Sequence, residues 1–348
     1  MERSVIGCIL GTAVGDAIGL PVEGLSRKRQ KRVFPKLDGY RFFFGRGMIS
    51  DDTEHTCMVA QSIIESVGDC DAFTKCFASR LKRWLIMLPA GAGMATVKSA
   101  LRLLIGTSPS RSGVFSAGNG PAMRSAIIGV CYGDDLKKMR DLVRASTRIT
   151  HTDPKAEYGA FAVALAAYLS AQGEANPRDY LHMLVGLLGD ESEEFINLVT
   201  AAVESSELGA TTEEFATGMG LERGVSGYVY STVPVALYAW FRNLNDYRAA
   251  VLDVIHCGGD TDTTAAIVGG IIGAGVGKDG IPVDWLSGIV EWPRSVLWME
   301  NLGTRLVKAL SNNEKQSAPK LSALGLLARN VFFLVIVLLH GFRRLLWF

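Results

Sequence analysis

Residues 257–274 read CGGDTDTTAAIVGGIIGA, a short polar turn followed directly by an apolar stretch rich in glycine and alanine. Asp260 and Asp262 stand among three threonines at its start. The apolar residues that follow recur with helical spacing. Small side chains on a helix allow another helix to approach closely. The stretch therefore predicts a helix that begins at an acidic turn and packs tightly against other helices.

Similar patterns recur along most of the chain, whereas strand-like alternation is scarce and no fixed period indicates a solenoid. Helices are predicted at residues 5–19, 53–66, 71–88, 118–132, 137–150, 156–172, 177–188, 191–205, 231–242, 246–257 and 263–276. The sequence therefore predicts an all-α fold, a multi-helix domain with one continuous core over residues 1–310.

Composition excludes several classes of protein. The 348 residues carry a formal net charge of +1, so no global field attracts nucleic acid, and we expect no sequence-specific nucleic-acid binding. The basic run at residues 27–32 is better explained as a solvated loop or helix face. The six cysteines form no CxxC pair, which argues for a reducing compartment and against structural zinc. With no secretory signal at the N-terminus, we expect a cytoplasmic protein.

A second acidic turn, Ser50-Asp51-Asp52, resembles the turn at residues 260–263 in its mixture of carboxylates and hydroxyls. Closely spaced carboxylates repel one another unless a cation lies between them. Hard oxygen ligands suit Mg²⁺, Mn²⁺ or Ca²⁺ better than zinc. Four aspartates in two clusters could bridge two cations, as in two-metal hydrolases. The alternative, that each run is a helix N-cap, explains one aspartate per helix better than two.

Other segments could line a cleft beside these clusters. Glu23 follows a small-residue helix that breaks at Pro21, and its carboxylate could face a cleft. Residues 116–121 (SAGNGP) form a turn that leads into a helix, where free N–H groups suit a phosphate, although an ordinary connection would look the same. His151 lies between two predicted helices, and residues 224–228 form a glycine-rich loop that ends in an aromatic residue.

Five segments, in this order, together resemble the ADP-ribosylglycohydrolases, which include the dinitrogenase reductase-activating glycohydrolase. They are GCILGTAVGDAIGLPVEG (7–24), SDDTEHT (50–56), SAGNGPAMRSA (116–126), THTDP (150–154) and the segment at 257–274. The resemblance runs from about residue 5 to residue 275. It implies an all-α fold with two Mg²⁺ ions, or sometimes Mn²⁺, at the base of a cleft that takes ADP-ribose. It also implies hydrolysis of the bond between the ribose anomeric carbon and an acceptor.

The resemblance also implies roles for individual residues. The implied metal ligands are Ser50, Asp51, Asp52, Asp260, Asp262 and Thr263, where serine replaces the usual threonine at position 50 and keeps its hydroxyl. The implied substrate contacts are Ser116, Gly118, Asn119 and His151 at the diphosphate and distal ribose, and Gly227 and Tyr228 at the adenosine. Glu23 matches the family glutamate near the anomeric carbon and is the first candidate for the acid/base, with Asp52 and Asp262 as alternatives.

The predicted function is therefore Mg²⁺-dependent hydrolysis of a glycosidic bond to ADP-ribose, which reverses ADP-ribosylation. One alternative is an inactive ADP-ribose-binding or structural protein of the same fold, and another is a metal-dependent phosphohydrolase. The complete set of acidic ligands favours the active enzyme. The sequence leaves the acceptor open among arginine, serine, a nucleobase, an acetyl group and another ADP-ribose.

The end of the chain changes character. Residues 311–320 are polar and predict a linker, and the tail that follows begins at Leu321 and runs to Phe348. Its apolar segment, 330–342, is flanked by arginines and is shorter than the roughly 20 residues of a spanning helix. A helix docked on the domain or on a second subunit, and an anchor peripheral at a membrane surface with Trp347 and Phe348 at the headgroups, both fit. We expect a chain that ends near Ser311 to keep its activity.

The two acidic turns give a direct prediction. Asp51→Asn or Asp260→Asn should abolish most activity and weaken Mg²⁺ binding, because a neutral amide cannot replace a bridging carboxylate. Isothermal titration calorimetry with Mg²⁺ measures this. Unchanged two-site binding in both variants would refute the two-metal interpretation.

Overall fold

The computed structural model describes residues 1–173 and 175–346, and within these ranges the chain forms 17 α-helices and only isolated β-bridges. The helices are α1 (Glu2–Gly19), α2 (Arg27–Val33), α3 (Asp51–Ser66), α4 (Cys70–Ile86), α5 (Met94–Leu104), α6 (Ala126–Tyr132), α7 (Leu136–Arg148), α8 (Pro154–Gln172), α9 (Pro177–Leu188), α10 (Glu193–Glu207), α11 (Thr212–Gly218), α12 (Val229–Arg242), α13 (Tyr247–His256), α14 (Thr261–Val276), α15 (Val283–Gly288), α16 (Val296–Asn312) and α17 (Ala323–Leu346). The predicted all-α fold is confirmed.

Ten of the eleven predicted helices begin and end within a few residues of the observed ones. The exception is the segment at 118–132, where only α6 is α-helical, because residues 118–125 form a turn and a short 3₁₀ segment. Helices α5, α15 and α16 were not predicted. α5 begins at Gly93 without a side-chain cap, so its sequence carries a weak start signal.

The centre of the fold is the antiparallel pair of α1 and α14. Their glycines face each other at four-residue intervals, which is one helical turn. A Cβ atom at Gly11 would lie 2.2 Å from the carbonyl oxygen of Gly269, and one at Gly269 would lie 2.4 Å from that of Gly11. The two backbones are therefore in direct contact. α1 has the length and hydropathy of a membrane span, but 94% of that window is buried inside the protein, so it is a core helix.

This antiparallel contact decides where the acidic residues meet. The C-terminal end of α1, which leads to Glu23, lies beside the N-terminal end of α14, which carries Asp262. The N-terminus of α3 joins them, because Asp16 of α1 accepts hydrogen bonds from the backbone N–H of Ser50, at 2.9 and 3.0 Å to its two oxygens. The two acidic turns are thus brought together although about 200 residues separate them in sequence.

A buried ion-pair network lies behind the start of α3. Glu54 pairs with Arg294 at 2.5 Å and accepts a hydrogen bond from the Trp84 indole at 2.6 Å. Glu291 pairs with Arg329 of α17 at 2.7 Å. All four charged side chains are almost fully buried. Removing one partner of such a pair typically costs about 3–5 kcal/mol, because the other charge remains buried.

Helix α17 is longer than the predicted apolar segment, and it packs against the domain through Phe333 and Ile336 as well as through polar residues. Besides Arg329, Asn330 donates to the carbonyl of Met87 at 2.8 Å, and His340 lies 2.7 Å from the carbonyl oxygen of Pro21. These contacts argue against the expectation that a chain ending near Ser311 keeps its activity. The predicted headgroup contacts of Trp347 and Phe348 lie outside the described residues.

The contact of α1 with α14 predicts a strong effect of one methyl group. Gly11→Ala should lower the free energy of unfolding by about 1–3 kcal/mol or more, because its Cβ would overlap the backbone of α14. The matched control is Gly186→Ala in α9, where a Cβ meets no atom within 4 Å. That variant should be neutral or more stable by about 0.4–1 kcal/mol. Urea denaturation measures both, and equal stabilities would contradict the packing described here.

Candidate active site

A cleft of about 520 Å³ opens at the end of the α1–α14 pair where the acidic turns meet. The cleft collects most of the residues that the sequence predicted for the site. Its lining includes Glu23, Asp51, Asp260, Asp262, Thr263, Ser116, Gly118, Asn119, His151 and Gly227. Ser50 and Asp52 lie beneath its floor, and both are buried. Tyr228 lies outside the lining, with 38% of its surface exposed, and its hydroxyl is 3.1 Å from the Lys155 ammonium.

The floor of the cleft is formed by the N-termini of α3 and α14. Ser50 Oγ donates to Asp52 Oδ2 at 3.0 Å, and Thr263 Oγ1 lies 3.4 Å from the same carboxylate oxygen. Hydroxyls from both acidic turns therefore contact the same oxygen, Asp52 Oδ2. The positive ends of two helix dipoles point toward this group, which partly offsets the concentration of negative charge.

The position of Asp260 depends on the Gly258-Gly259 turn. Both glycines have positive φ angles, 68° and 82°, and a Cβ at Gly259 would lie 2.0 Å from the carbonyl oxygen of Val225. Only glycine therefore fits this turn. Its backbone binds the turn after Glu23 through Gly24 N–H to Gly259 O at 2.7 Å. The side chain of Asp260 then accepts a hydrogen bond from Asn119 Nδ2 at 2.7 Å.

The N-cap alternative accounts poorly for these aspartates. The side chain that caps α3 is that of Ser50, and Asp260 occupies the N-cap position of α14 without making a side-chain cap bond. Within the described part of the chain, Asp52 Oδ1 and Asp262 Oδ1 are buried oxygens that have no hydrogen-bond partner. Unpaired buried polar atoms are rare and usually have a functional explanation.

The donor set fits a hard divalent cation. Burial is the main cause that raises the pKa of Asp51, Asp52 and Asp262 well above the usual range, and neighbouring carboxylates add to it. A bound cation would lower these pKa values, because its positive charge stabilises the ionised carboxylates. In the described ranges no three His, Cys, Asp or Glu side chains converge closely enough to enclose an ion by themselves. Hydroxyls and water would therefore complete any coordination, as Mg²⁺ prefers.

Sequence reasoning missed Asp16, which is fully buried below the cleft. Besides Ser50 N–H, it accepts hydrogen bonds from the backbone N–H and the hydroxyl of Thr53, so it holds the first turn of α3 in place. Burial raises its pKa to about 6, although these hydrogen bonds oppose the shift. The available signal was a single carboxylate in a helix otherwise made of small and apolar residues after Arg3.

Glu23 stands at the mouth of the cleft, after the 3₁₀ turn that follows α1. The surrounding protein atoms raise the pKa of its carboxyl to about 7, and repulsion from Asp260 acts in the same direction. Arg344 of α17 partly opposes this shift, and its Nη2 donates to the backbone carbonyl of Glu23 at 2.7 Å. The C-terminal helix thus supports the backbone of a cleft residue.

The other half of the cleft is uncharged. His151 is buried, and its Nδ1 lies 2.8 Å from Thr150 Oγ1. Burial lowers its pKa to about 3, with a smaller contribution from Arg124, so its ring is neutral near pH 7. The backbone of Asn119 donates to Gly227 O at 3.0 Å. In the loop at residues 116–121, for which free N–H groups were predicted, the N–H of Asn119 is thus taken by the backbone and that of Gly118 by the Ser116 hydroxyl.

Comparison with known proteins shows which family the whole domain belongs to. The family model described as ADP-ribosylglycohydrolase matches residues 1–316. The chain belongs to the ADP-ribosylglycohydrolase family. The predicted resemblance is confirmed, and the family acts on ADP-ribosylated substrates through hydrolysis of a glycosyl bond.

Two curated relatives and one solved structure support this assignment. ADP-ribosylhydrolase ARH3 of Gallus gallus is 29% identical over 334 residues, covering 80% of this chain and 87% of the relative. The ADP-ribosyl-[dinitrogen reductase] glycohydrolase of Rhodospirillum rubrum is 28% identical over 290 residues, covering 81% and 88%. An ADP-ribosylglycohydrolase-related protein complex contains a chain with a TM-score of 0.67 and 25% identity, covering 89% of this chain and 98% of that one.

The family match ends before α17. Arg329 and Arg344 therefore reach the domain from outside the matched region. Sequence reasoning placed the tail apart from the site because no motif of the family includes it. The local signal in the sequence was the presence of arginines on both sides of the apolar segment, Arg329 before it and Arg343 and Arg344 after it.

The buried neutral His151 predicts a pH effect on stability. Unfolded histidine takes up a proton below about pH 6.5, whereas folded His151 resists protonation, so stability is lost as the pH falls. Between pH 7.5 and 5, the wild type should lose about 2 kcal/mol of unfolding free energy relative to His151→Gln. Urea denaturation of both proteins across this range measures the difference, and a constant difference would show that His151 titrates normally.

Proposed function

We propose that the protein is an ADP-ribosyl-acceptor hydrolase that uses two Mg²⁺ ions, with Mn²⁺ as a substitute. The observation that carries this proposal is the meeting of both acidic turns on the floor of one cleft, with unpartnered carboxylate oxygens on Asp52 and Asp262. The residues that would hold the ions are Ser50, Asp51, Asp52, Asp260, Asp262 and Thr263. When bound, such ions orient ribose hydroxyls and a water molecule and lower the pKa of that water.

Glu23 is the residue best suited to move a proton. Without the ions, the pKa of its carboxyl is raised to about 7, so this group can hold or accept a proton near neutral pH, as a general acid or base must. Cations bound at Asp260 would lower this pKa and favour the role of base. Of the two alternatives, Asp262 lines the cleft, whereas Asp52 lies beneath the floor and already accepts a hydrogen bond from Ser50. Asp52 is therefore better suited to bind a metal ion than to contact a reacting atom.

The charges of the cleft suit cleavage at the ribose anomeric carbon. Departure of the acceptor leaves positive charge on the ribose, as in other glycosidic cleavages. The carboxylates of Glu23 and Asp262 lie on the side of the cleft where this charge would develop, and they stabilise it. The neutral side, around Gly118 and His151, offers room for the rest of ADP-ribose without further carboxylates that would repel its diphosphate.

The experiment uses purified full-length protein with ADP-ribosylated arginine, ADP-ribosylated serine and ADP-ribosylated DNA, each with EDTA, Mg²⁺ or Mn²⁺. Chromatography of the products measures the release of ADP-ribose. Release from one substrate that requires the metal identifies the acceptor, which the two relatives leave open. Binding of ADP-ribose without release from any substrate would favour the inactive, ligand-binding alternative.

Glu23→Gln should lower kcat by about 10²-fold or more while leaving the Kd for ADP-ribose nearly unchanged, because the amide keeps the shape but cannot transfer a proton. The matched control is Glu222→Gln, an exposed glutamate outside the cleft lining, which should have no effect. An equally active Glu23→Gln would assign the proton transfer to another residue, with Asp262→Asn as the next variant to measure.

A further inference from the structure

Helix α17 has an outward face that is apolar over most of its length. The exposed side chains on that face are Leu324, Leu327, Val331, Phe332, Leu334, Val335, Leu338, Leu339 and Phe342. Its inward face holds both polar and apolar residues. Arg329 and Asn330 are buried and hydrogen-bonded to the domain, and Phe333 and Ile336 are buried in a small apolar cluster with Phe42. A helix at the surface of a soluble protein normally carries polar residues on its outward face.

The exposed face is a large contiguous apolar patch. A helix of 24 residues is about 36 Å long, and with a width of about 10 Å it offers on the order of 350 Å² on one side. This area is within the range of the largest apolar patch on a typical soluble protein, and such patches are often functional. The segment Ala323–Arg344 has a mean hydropathy of 2.1, with only 28% of it buried.

The charges around this face indicate which kind of surface it binds. After Glu314 the chain contains no aspartate or glutamate, whereas it contains Lys315, Lys320, Arg329, Arg343 and Arg344. Arg343 is exposed at the C-terminal end of the apolar face, and Lys320 is exposed just before its start. Basic residues beside an apolar helix face are typical of a helix that lies on an anionic lipid surface.

Two other occupants fit less well. A second copy pairing through α17 would bring like charges together, and the area of this face is less than half of the roughly 800 Å² per partner in a standard interface. A membrane span would remove Arg329 from its buried pair with Glu291, at a large cost. Lipid contact along the helix keeps every inward contact and covers the outward side chains.

We propose that α17 attaches this protein to an anionic membrane surface, with its outward apolar face in the headgroup region and its inward face on the domain. The apolar side chains supply most of the binding, and Lys320 and Arg343 supply the preference for anionic lipid. The cleft stays attached to the same helix through the contact of Arg344 with the backbone of Glu23. The proposal does not depend on the reaction that the cleft catalyses.

Flotation of full-length protein with vesicles tests the proposal. The wild type should float with vesicles of phosphatidylcholine and phosphatidylserine, bind at least tenfold less to phosphatidylcholine alone, and lose the difference in high salt. The double variant Val335→Glu/Leu338→Glu should lose binding at least tenfold, and Arg343→Glu should lose most of the preference for phosphatidylserine. The matched control is Leu208→Glu, which places the same charge at another exposed leucine after α10 and should bind like the wild type.

Because the substituted side chains are exposed, all variants should keep the wild-type unfolding midpoint and the same activity on a soluble substrate. Failure of the wild type to bind anionic vesicles would overturn the proposal. So would a dimer, detected by light scattering without lipid, that Val335→Glu/Leu338→Glu dissociates, because a second copy would then cover the face. Retention of the protein in vesicles after extraction with alkaline carbonate would indicate a span and would also overturn it.

Discussion

The rest of the structure depends on the direct contact of two helix backbones, α1 and α14. Glycines at matching positions remove the side chains that would otherwise separate the helices, so carbonyl oxygens of one helix touch the other. The antiparallel direction then brings the end of α1 beside the start of α14. A separation of even one methyl group would move Glu23 and Asp16 away from Asp260 and Asp262, and the two acidic turns would no longer share a floor.

The site concentrates negative charge against considerable electrostatic repulsion. Part of this cost is offset at Asp16, whose carboxylate accepts hydrogen bonds from backbone N–H and hydroxyl donors at the start of α3. Asn119 does the same for one oxygen of Asp260. The unpartnered oxygens of Asp52 and Asp262 have no such donors among the described residues, and in the proposed function a divalent cation would bind beside them. The opposite wall stays neutral because His151 is too buried to take up a proton.

Helix α17 connects this site to a different kind of surface. Its inward face completes the buried charge network around Glu54 and Glu291 and supports the turn that carries Glu23. Its outward face is exposed and apolar. This helix, which lies beyond the family domain, therefore has two roles. Its inward residues stabilise the cleft and its outward residues are available to a lipid surface, and the two sets alternate with helical periodicity.

Local sequence determined the fold class, and the family resemblance pointed to most of the residues that line the cleft. The spacing of small and apolar residues predicted most of the helices, because that spacing reflects one buried face within a single element. The acidic turns at Ser50 and Asp260 were also visible, since each holds its oxygen donors within four consecutive positions. Only the tertiary structure decided which of these carboxylate and hydroxyl oxygens have no partner at the cleft and which accept hydrogen bonds within the protein.

The same distinction explains what sequence reasoning missed. Asp16, Arg329 and Arg344 act through partners 34 to 321 residues away, and no local pattern marks such a contact. The predicted helix at 118–132 was wrong over residues 118–125 for the same reason, because pairing of Asn119 with Gly227 keeps the first part of this segment in a turn. A sequence records the faces that each helix must bury, whereas the choice of neighbour follows from how all the helices pack at once.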